Sequence, residues 1–155
     1  MCAAKLVQHL RASADKMSER LLEKIRNSSS CRDLLLRVPA EEHKHYSLTV
    51  YLDLVEWLAS ETESVIESRY LELGIRRSQQ GVPVSQLFWA VCITREYLWE
   101  YIQQECLLDD PVEFGGVVLL RAVNQFFDRA LYAILVGYQS LAPPLSSVYR
   151  QYSKR

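Results

Sequence analysis

The residues that could do chemistry are few and scattered. Histidine occurs at His9, His43 and His45 and nowhere later in the chain. Haem held as in a globin needs a proximal histidine, expected in the second half of such a chain, so no cofactor of that kind is expected. His43 and His45 stand two apart, about 200° around a helix, so they cannot share a metal ion. They read as surface histidines beside Glu42 and Lys44. The cysteines, Cys2, Cys31, Cys92 and Cys106, form no Cys-x-x-Cys pair and have no histidine at zinc-ligand spacing. No metal site and no cofactor follow from these residues, and a carboxylate-bridged di-iron bundle is not expected either.

Nucleophilic catalysis lacks its parts. The chain has no Gly-x-Ser-x-Gly elbow and no credible histidine partner for a serine or cysteine. A Gly-x-x-x-x-Gly-Lys phosphate loop is also missing. Gly115-Gly116 precedes a helix and could offer N–H groups to an anion, but it reads more simply as a turn between helices. Catalytic residues: none; the chain is not expected to be an enzyme.

Two charges sit among apolar residues. Arg95 lies beside the row Val91–Leu98, and Asp128 lies among aromatic side chains. An isolated buried charge is costly, so Arg95 and Asp128 are expected to form a buried interhelical ion pair. The aromatic residues Phe88, Trp89, Tyr97, Trp99, Tyr101, Phe126, Phe127 and Tyr132 either fill a core or line a pocket for a small apolar ligand.

The elements carrying these residues are helical throughout. Gly and Pro punctuate the 155-residue chain at Pro39, Gly74, Gly81-Val82-Pro83, Pro111, Gly115-Gly116 and Pro143-Pro144. No stretch shows the alternation of a strand. The first helix is expected over 3–26, with Leu6, Leu10, Met17, Leu21, Leu22 and Ile25 as its apolar stripe. A short turn at 31–37 follows. The next helix opens on Glu41 and Glu42, carboxylates that suit the positive end of the helix dipole, and carries Tyr46, Val50, Leu54, Trp57 and Leu58. Another is expected over 60–80, capped by Ser60 or Thr62, with Val65, Ile66, Tyr70, Leu73 and Ile75 facing inward. Gly74 either bends it or marks a close helix contact, and Gly81 and Pro83 stop it. Ser85 is a suitable N-cap for the following helix, with Pro83 serving a slightly earlier start.

Two long helices, over 84–106 and 112–141, complete the chain. Both are apolar on two sides. Trp89, Ile93, Tyr97 and Tyr101 form a second row on one; Leu120, Phe127, Leu131 and Leu135, with Tyr138, form a second row on the other. Such surfaces need either a further layer or a partner chain. A homodimer through Trp89, Ile93, Tyr97, Tyr101, Leu120, Phe127, Leu131 and Leu135 is the expected use. On the second of these helices only a narrow polar strip remains, built from Arg121, Gln125, Asp128 and Arg129.

Composition closes off other classes. The hydrophobic share is 49% and the charged share 24%, ordinary for one globular domain of this size. The net charge of -1 argues against direct nucleic-acid binding, which relies on a basic excess. No secretory leader is visible, because Lys5, Gln8, His9 and Arg11 interrupt the opening. The longest apolar run, at 130–138, is too short to span a membrane. A cytoplasmic chain with reduced thiols is expected, as a single domain over 1–141 and a flexible tail over 142–155.

Two segments carry a resemblance. One runs from Ile75-Arg-Arg-Ser-Gln-Gln-Gly-Val-Pro-Val to Thr94-Arg95-Glu96-Tyr97-Leu98-Trp99. The other is Phe126-Phe127-Asp128-Arg129-Ala130-Leu131-Tyr132 followed by Val136-Gly137-Tyr138. Together the chain resembles the N-terminal domain of the RsbT co-antagonist protein RsbRD. The resemblance implies an all-α fold, a globin-like helical bundle without haem whose two long C-terminal helices pair in a dimer. It implies a bacterial sensory or regulatory domain acting on a protein partner, followed in the family by an output module. No ligand or catalytic residue carries over from it.

Overall fold

The computed structural model of the chain describes residues 2–60, 63–106 and 116–141. Six α-helices make an all-α bundle: α1 (Cys2–Arg26), α2 (Arg32–Arg37), α3 (Ala40–Ser60), α4 (Glu63–Gln79), α5 (Val84–Tyr101) and α6 (Gly116–Leu141). A 3₁₀ turn, Ser29–Cys31, leads into α2, and a π-helical turn, Ile102–Cys106, extends α5. No strand occurs among the described residues. Thr62, Pro111, Gly115 and the tail from 142 lie outside them, so the start anticipated for the last helix and the tail are not described.

The helix limits follow local chemistry. At the end of α4, Gly81 takes φ 75, a backbone region open to glycine. Its N–H reaches Ser78 O at 3.0 Å and the Val82 N–H reaches Arg77 O at 3.1 Å, so orphan carbonyls are satisfied as in a Schellman cap. Pro83, not Ser85, holds the cap position of α5. Its carbonyl accepts from Gln86 N at 3.0 Å, and the fixed ring torsion suits a helix start. Pro39 does the same for α3, accepting from Glu42 N at 3.0 Å.

Packing pairs the helices. α1 lies along α3, α4 lies most extensively along α6, and α5 bridges α1, α2 and α6. The stripe read for α1 is buried in full: Leu6, Leu10, Met17, Leu21, Leu22 and Ile25. Phe126 and Phe127 of α6 are completely buried, in edge-to-face contact with centroids 5.1 Å apart, and Tyr70 of α4 meets Phe126 at 6.0 Å. Val65, placed inward by the sequence pattern, faces out instead.

The α4–α6 crossing depends on two glycines. A Cβ on Gly74 would stand 2.3 Å from Ile134 O, and one on Gly137 would stand 2.5 Å from Leu71 O. The two backbones touch directly, and Gly74 marks a close helix contact. Hydrogen bonds tie other layers: Trp57 Nε1 donates to Ala122 O at 2.9 Å, and Tyr138 OH donates to Val82 O at 2.9 Å. Gln86 of α5 holds α2 in place. Its Oε1 accepts from Leu34 N at 2.9 Å and its Nε2 donates to Asp33 Oδ2 at 2.8 Å, so a side chain from another helix satisfies an orphan N–H of α2.

Candidate functional site

Two regions could act on another molecule: the outward faces of α5 and α6, and a cleft between α3 and α4. The outer faces are where the two-sided apolar pattern pointed. Arg95 Nη1 of α5 reaches Asp128 Oδ1 of α6 at 3.5 Å, so the two helices meet there. The pair is not buried. Asp128 is 71% exposed and Arg95 30%, because Asp128 belongs to the polar strip that α6 turns to solvent. On helical spacing, Tyr132 and Leu135 follow Asp128 on the same stripe, and Phe88 precedes Arg95 on its own. Tyr132 is 69% exposed, Trp89 48% and Leu120 45%, with Phe88 and Leu135 also exposed.

The eight residues read as a dimer row therefore divide. Trp89, Leu120 and Leu135 are exposed; Ile93 and Tyr101 are partly covered; Tyr97, Phe127 and Leu131 are buried inside the chain. Tyr97 packs edge-on against Tyr51 at 6.5 Å. Tyr101 donates its hydroxyl to Ser13 Oγ of α1 at 3.0 Å. The second row failed as one surface because α6 packs against α3, α4 and α5 at once. Its buried arc is wider than a single stripe.

The cleft was not anticipated. It has a volume of about 720 Å³ and is walled by α3, through Glu42, His45, Tyr46, Thr49 and Asp53, and by α4, through Arg69, Tyr70, Leu73, Arg76 and Arg77. Glu42 sits at its ionic end. Glu42 Oε1 accepts from Arg76 Nη2 at 2.7 Å and Oε2 accepts from Arg77 Nη1 at 2.6 Å. Gln80 Nε2 adds a bond to Oε2 at 3.1 Å. Hydrogen bonding to Arg76, with Arg77 and Gln80 behind it, holds the Glu42 carboxyl down at about 2. The side chain of Arg77 is only 4% exposed, so this carboxylate is what makes its burial tolerable.

At the other end, Asp53 accepts from Arg69 Nη1 on one oxygen and from Tyr70 OH at 3.2 Å on the other. Burial raises the Asp53 carboxyl and outweighs the opposing pull of Arg69. Between the two ends, the hydroxyl of Tyr46 is cut off from solvent beside the Thr94 side chain of α5, and Ser47 Oγ, next to it in sequence, has no hydrogen-bond partner. An unmade bond of this kind costs about 1–3 kcal/mol. Burial drives the Tyr46 phenol far above its usual range.

His43 corrects another expectation. It is buried, with Nε2 3.2 Å from Leu34 O, because α2 folds back over the first turn of α3. Burial lowers its pKa, and Arg77 adds to that. Glu42 and His45 have the Glu-x-x-His spacing of a di-iron ligand pair, so the absence of such a bundle does not follow from spacing. The structure engages Glu42 with two arginines. No group of three or more His, Cys, Asp or Glu that could hold a metal occurs among the described residues.

Comparison with known families decides the class of domain. The model of the RsbT co-antagonist protein rsbRD N-terminal domain matches residues 4–141. The chain belongs to this family. No curated protein and no solved structure matches. The RsbRD N-terminal domain is a regulatory domain of bacterial stress signalling, and this chain is of that class. The segments that carry the resemblance meet in space: Tyr138 bonds Val82, Arg95 meets Asp128, and Gly137 lies against the turn of α4 that holds Gly74. No helix among the described residues is long and apolar enough to cross a membrane.

Proposed function

We propose that this RsbRD-type domain is a non-catalytic cytoplasmic regulator. It works as a homodimer through the outer faces of α5 and α6 and passes its signal to a protein partner. In this reading the bundle is globin-like, with α5 and α6 as its two long C-terminal helices. The observation that carries it is the exposure of Trp89 and Phe88 on α5 and of Tyr132, Leu120 and Leu135 on α6. Large aromatic and aliphatic side chains left exposed on two helices that meet suit an interaction surface. The Arg95–Asp128 pair on the same outer surface supplies a polar element that a two-fold arrangement can place at its rim.

The non-catalytic part rests on how the titratable side chains are used. Glu42, Asp53, Arg69, Arg76 and Arg77 are committed to one another, and the thiols of Cys31 and Cys92 are both raised by burial rather than activated. Sedimentation velocity across concentration tests the dimer. The wild-type chain sediments as a dimer, and the double variant Trp89→Glu, Tyr132→Glu sediments as a folded monomer. A wild-type monomer at every concentration refutes the proposal.

A further inference from the structure

We propose that α2 is a pH-sensitive latch, released from α3 and α5 when His43 takes up a proton. The short helix is held at few points. Leu34 and, just past its end, Val38 are buried. Gln86 of α5 binds Leu34 N and Asp33, and Leu34 O meets His43 Nε2 at 3.2 Å. A carbonyl oxygen only accepts, so Nε2 carries the proton of the neutral ring and Nδ1 is the site that titrates. Nδ1 makes no hydrogen bond among the described residues.

A proton on that ring adds a charge where nothing is arranged to receive it. Three charged groups face it: Arg77 of α4, Glu42 of α3 and Arg26 of α1. Two of the three are positive, and the Arg77 side chain, 4% exposed, is set too deep to withdraw. Glu42 is already shared by Arg76, Arg77 and Gln80. The one carboxylate of α2, Asp33, is turned to Gln86. A buried charge without a partner is costly, so the protonated ring is better placed in water.

Of the helices around the ring, α2 is the one that can yield. α1, α3 and α4 run 25, 21 and 17 residues. α2 has 6, with Leu36 and Arg37 exposed, and a helix so short does not persist without its contacts. A pocket of about 260 Å³, lined by Leu22, Arg26, Leu35, Val38, Ala40 and His43, lets water approach the ring from the α2 side. Release also frees Gln86, in the turn of α5 that leads into the exposed Phe88 and Trp89. The latch is independent of the dimer, since its parts belong to one chain.

The test is amide hydrogen exchange of the whole chain at about pH 7.5 and about pH 5.5, corrected for the pH dependence of a free amide. A released ring has its ordinary value of 6.5, so opening gains up to a factor of 1 + 10^(6.5 − 5.5), about tenfold, at the lower pH. In the wild type, amides 34–38 should exchange faster than those of α6 at both pH values, through an opening that low urea leaves unchanged. Their exchange should quicken by up to about tenfold at about pH 5.5. His43→Gln should abolish the quickening, and His45→Gln, at an exposed position, should keep it. Three results overturn the proposal: amides 34–38 as protected as α6, so that α2 opens only with the whole bundle; no quickening at the lower pH; or quickening that His43→Gln retains. The first two are read on the wild type, so they stand even where the variant fails to hold α2.

Discussion

Replacing Gly74 with alanine sets two effects of opposite sign against each other. In an ordinary helix interior the change stabilises by about 1 kcal/mol, because glycine loses more backbone freedom on folding. At the α4–α6 crossing the new methyl would stand 2.3 Å from Ile134 O and 2.9 Å from Ile134 Cα. Ordinary contact begins near 3.4 Å, so the helices must part by 3.4 − 2.3 = 1.1 Å at the crossing. The obstacle is backbone, which cannot rotate aside as a side chain would. Overpacking a close-packed site costs about 1–3 kcal/mol or more, and the parted helices also lose contacts around Phe126 and Ile134. The net expectation is a loss of at least about 2 kcal/mol, or about 6–8 °C in Tm for a chain of this length. Urea unfolding followed by circular dichroism reads it. Gly116→Ala is the control: φ is 50 with nothing within 4 Å of the added atom, so its cost is the left-handed backbone alone, about 1–2 kcal/mol. A Gly74→Ala protein as stable as wild type would refute the direct backbone contact.

Three further outcomes follow from named contacts. Arg95→Ala should change stability by less than about 0.5 kcal/mol in urea, since its partner Asp128 is exposed; a loss of about 3 kcal/mol would mean the pair is buried after all. Trp57→Phe removes the donor to Ala122 O and part of a buried ring, and should cost about 1–2 kcal/mol. His43 has a folded pKa below its ordinary 6.5, so the unfolded chain takes up the proton first; its contribution is complete above 6.5 and declines as pH falls below it. Stability measured between about pH 7 and pH 5 should therefore drop for wild type and stay flatter for His43→Gln. Glu42 adds a decline of the same sign as pH falls from 4.5 toward about 2.

The helices were legible in the sequence because their signals are local. Gly81 and Pro83 stop and start helices by their own backbone torsions, and the α1 stripe repeats on one face. The family was legible because its segments are contiguous. Burial on the two long helices was not. Trp89 and Phe127 both sit in apolar rows, yet one is exposed and the other completely buried, and only the packing of α6 against three other helices distinguishes them. The cleft was hidden for a similar reason. Glu42 and its partners Arg76 and Arg77 lie 34 and 35 positions apart, so each reads as an ordinary surface charge until α3 and α4 align. His43 looked like a surface residue because nothing in its own helix reveals that α2 folds over it.

The measurement that bears most directly on the dimeric regulator is hydroxyl-radical footprinting of the wild-type chain at low and high concentration. Leu36, exposed on α2 rather than on α5 or α6, serves as the internal reference. Protection of Trp89 and Tyr132 that grows with concentration while Leu36 stays constant is the result this account expects. Equal modification of Trp89 and Tyr132 at every concentration would contradict it.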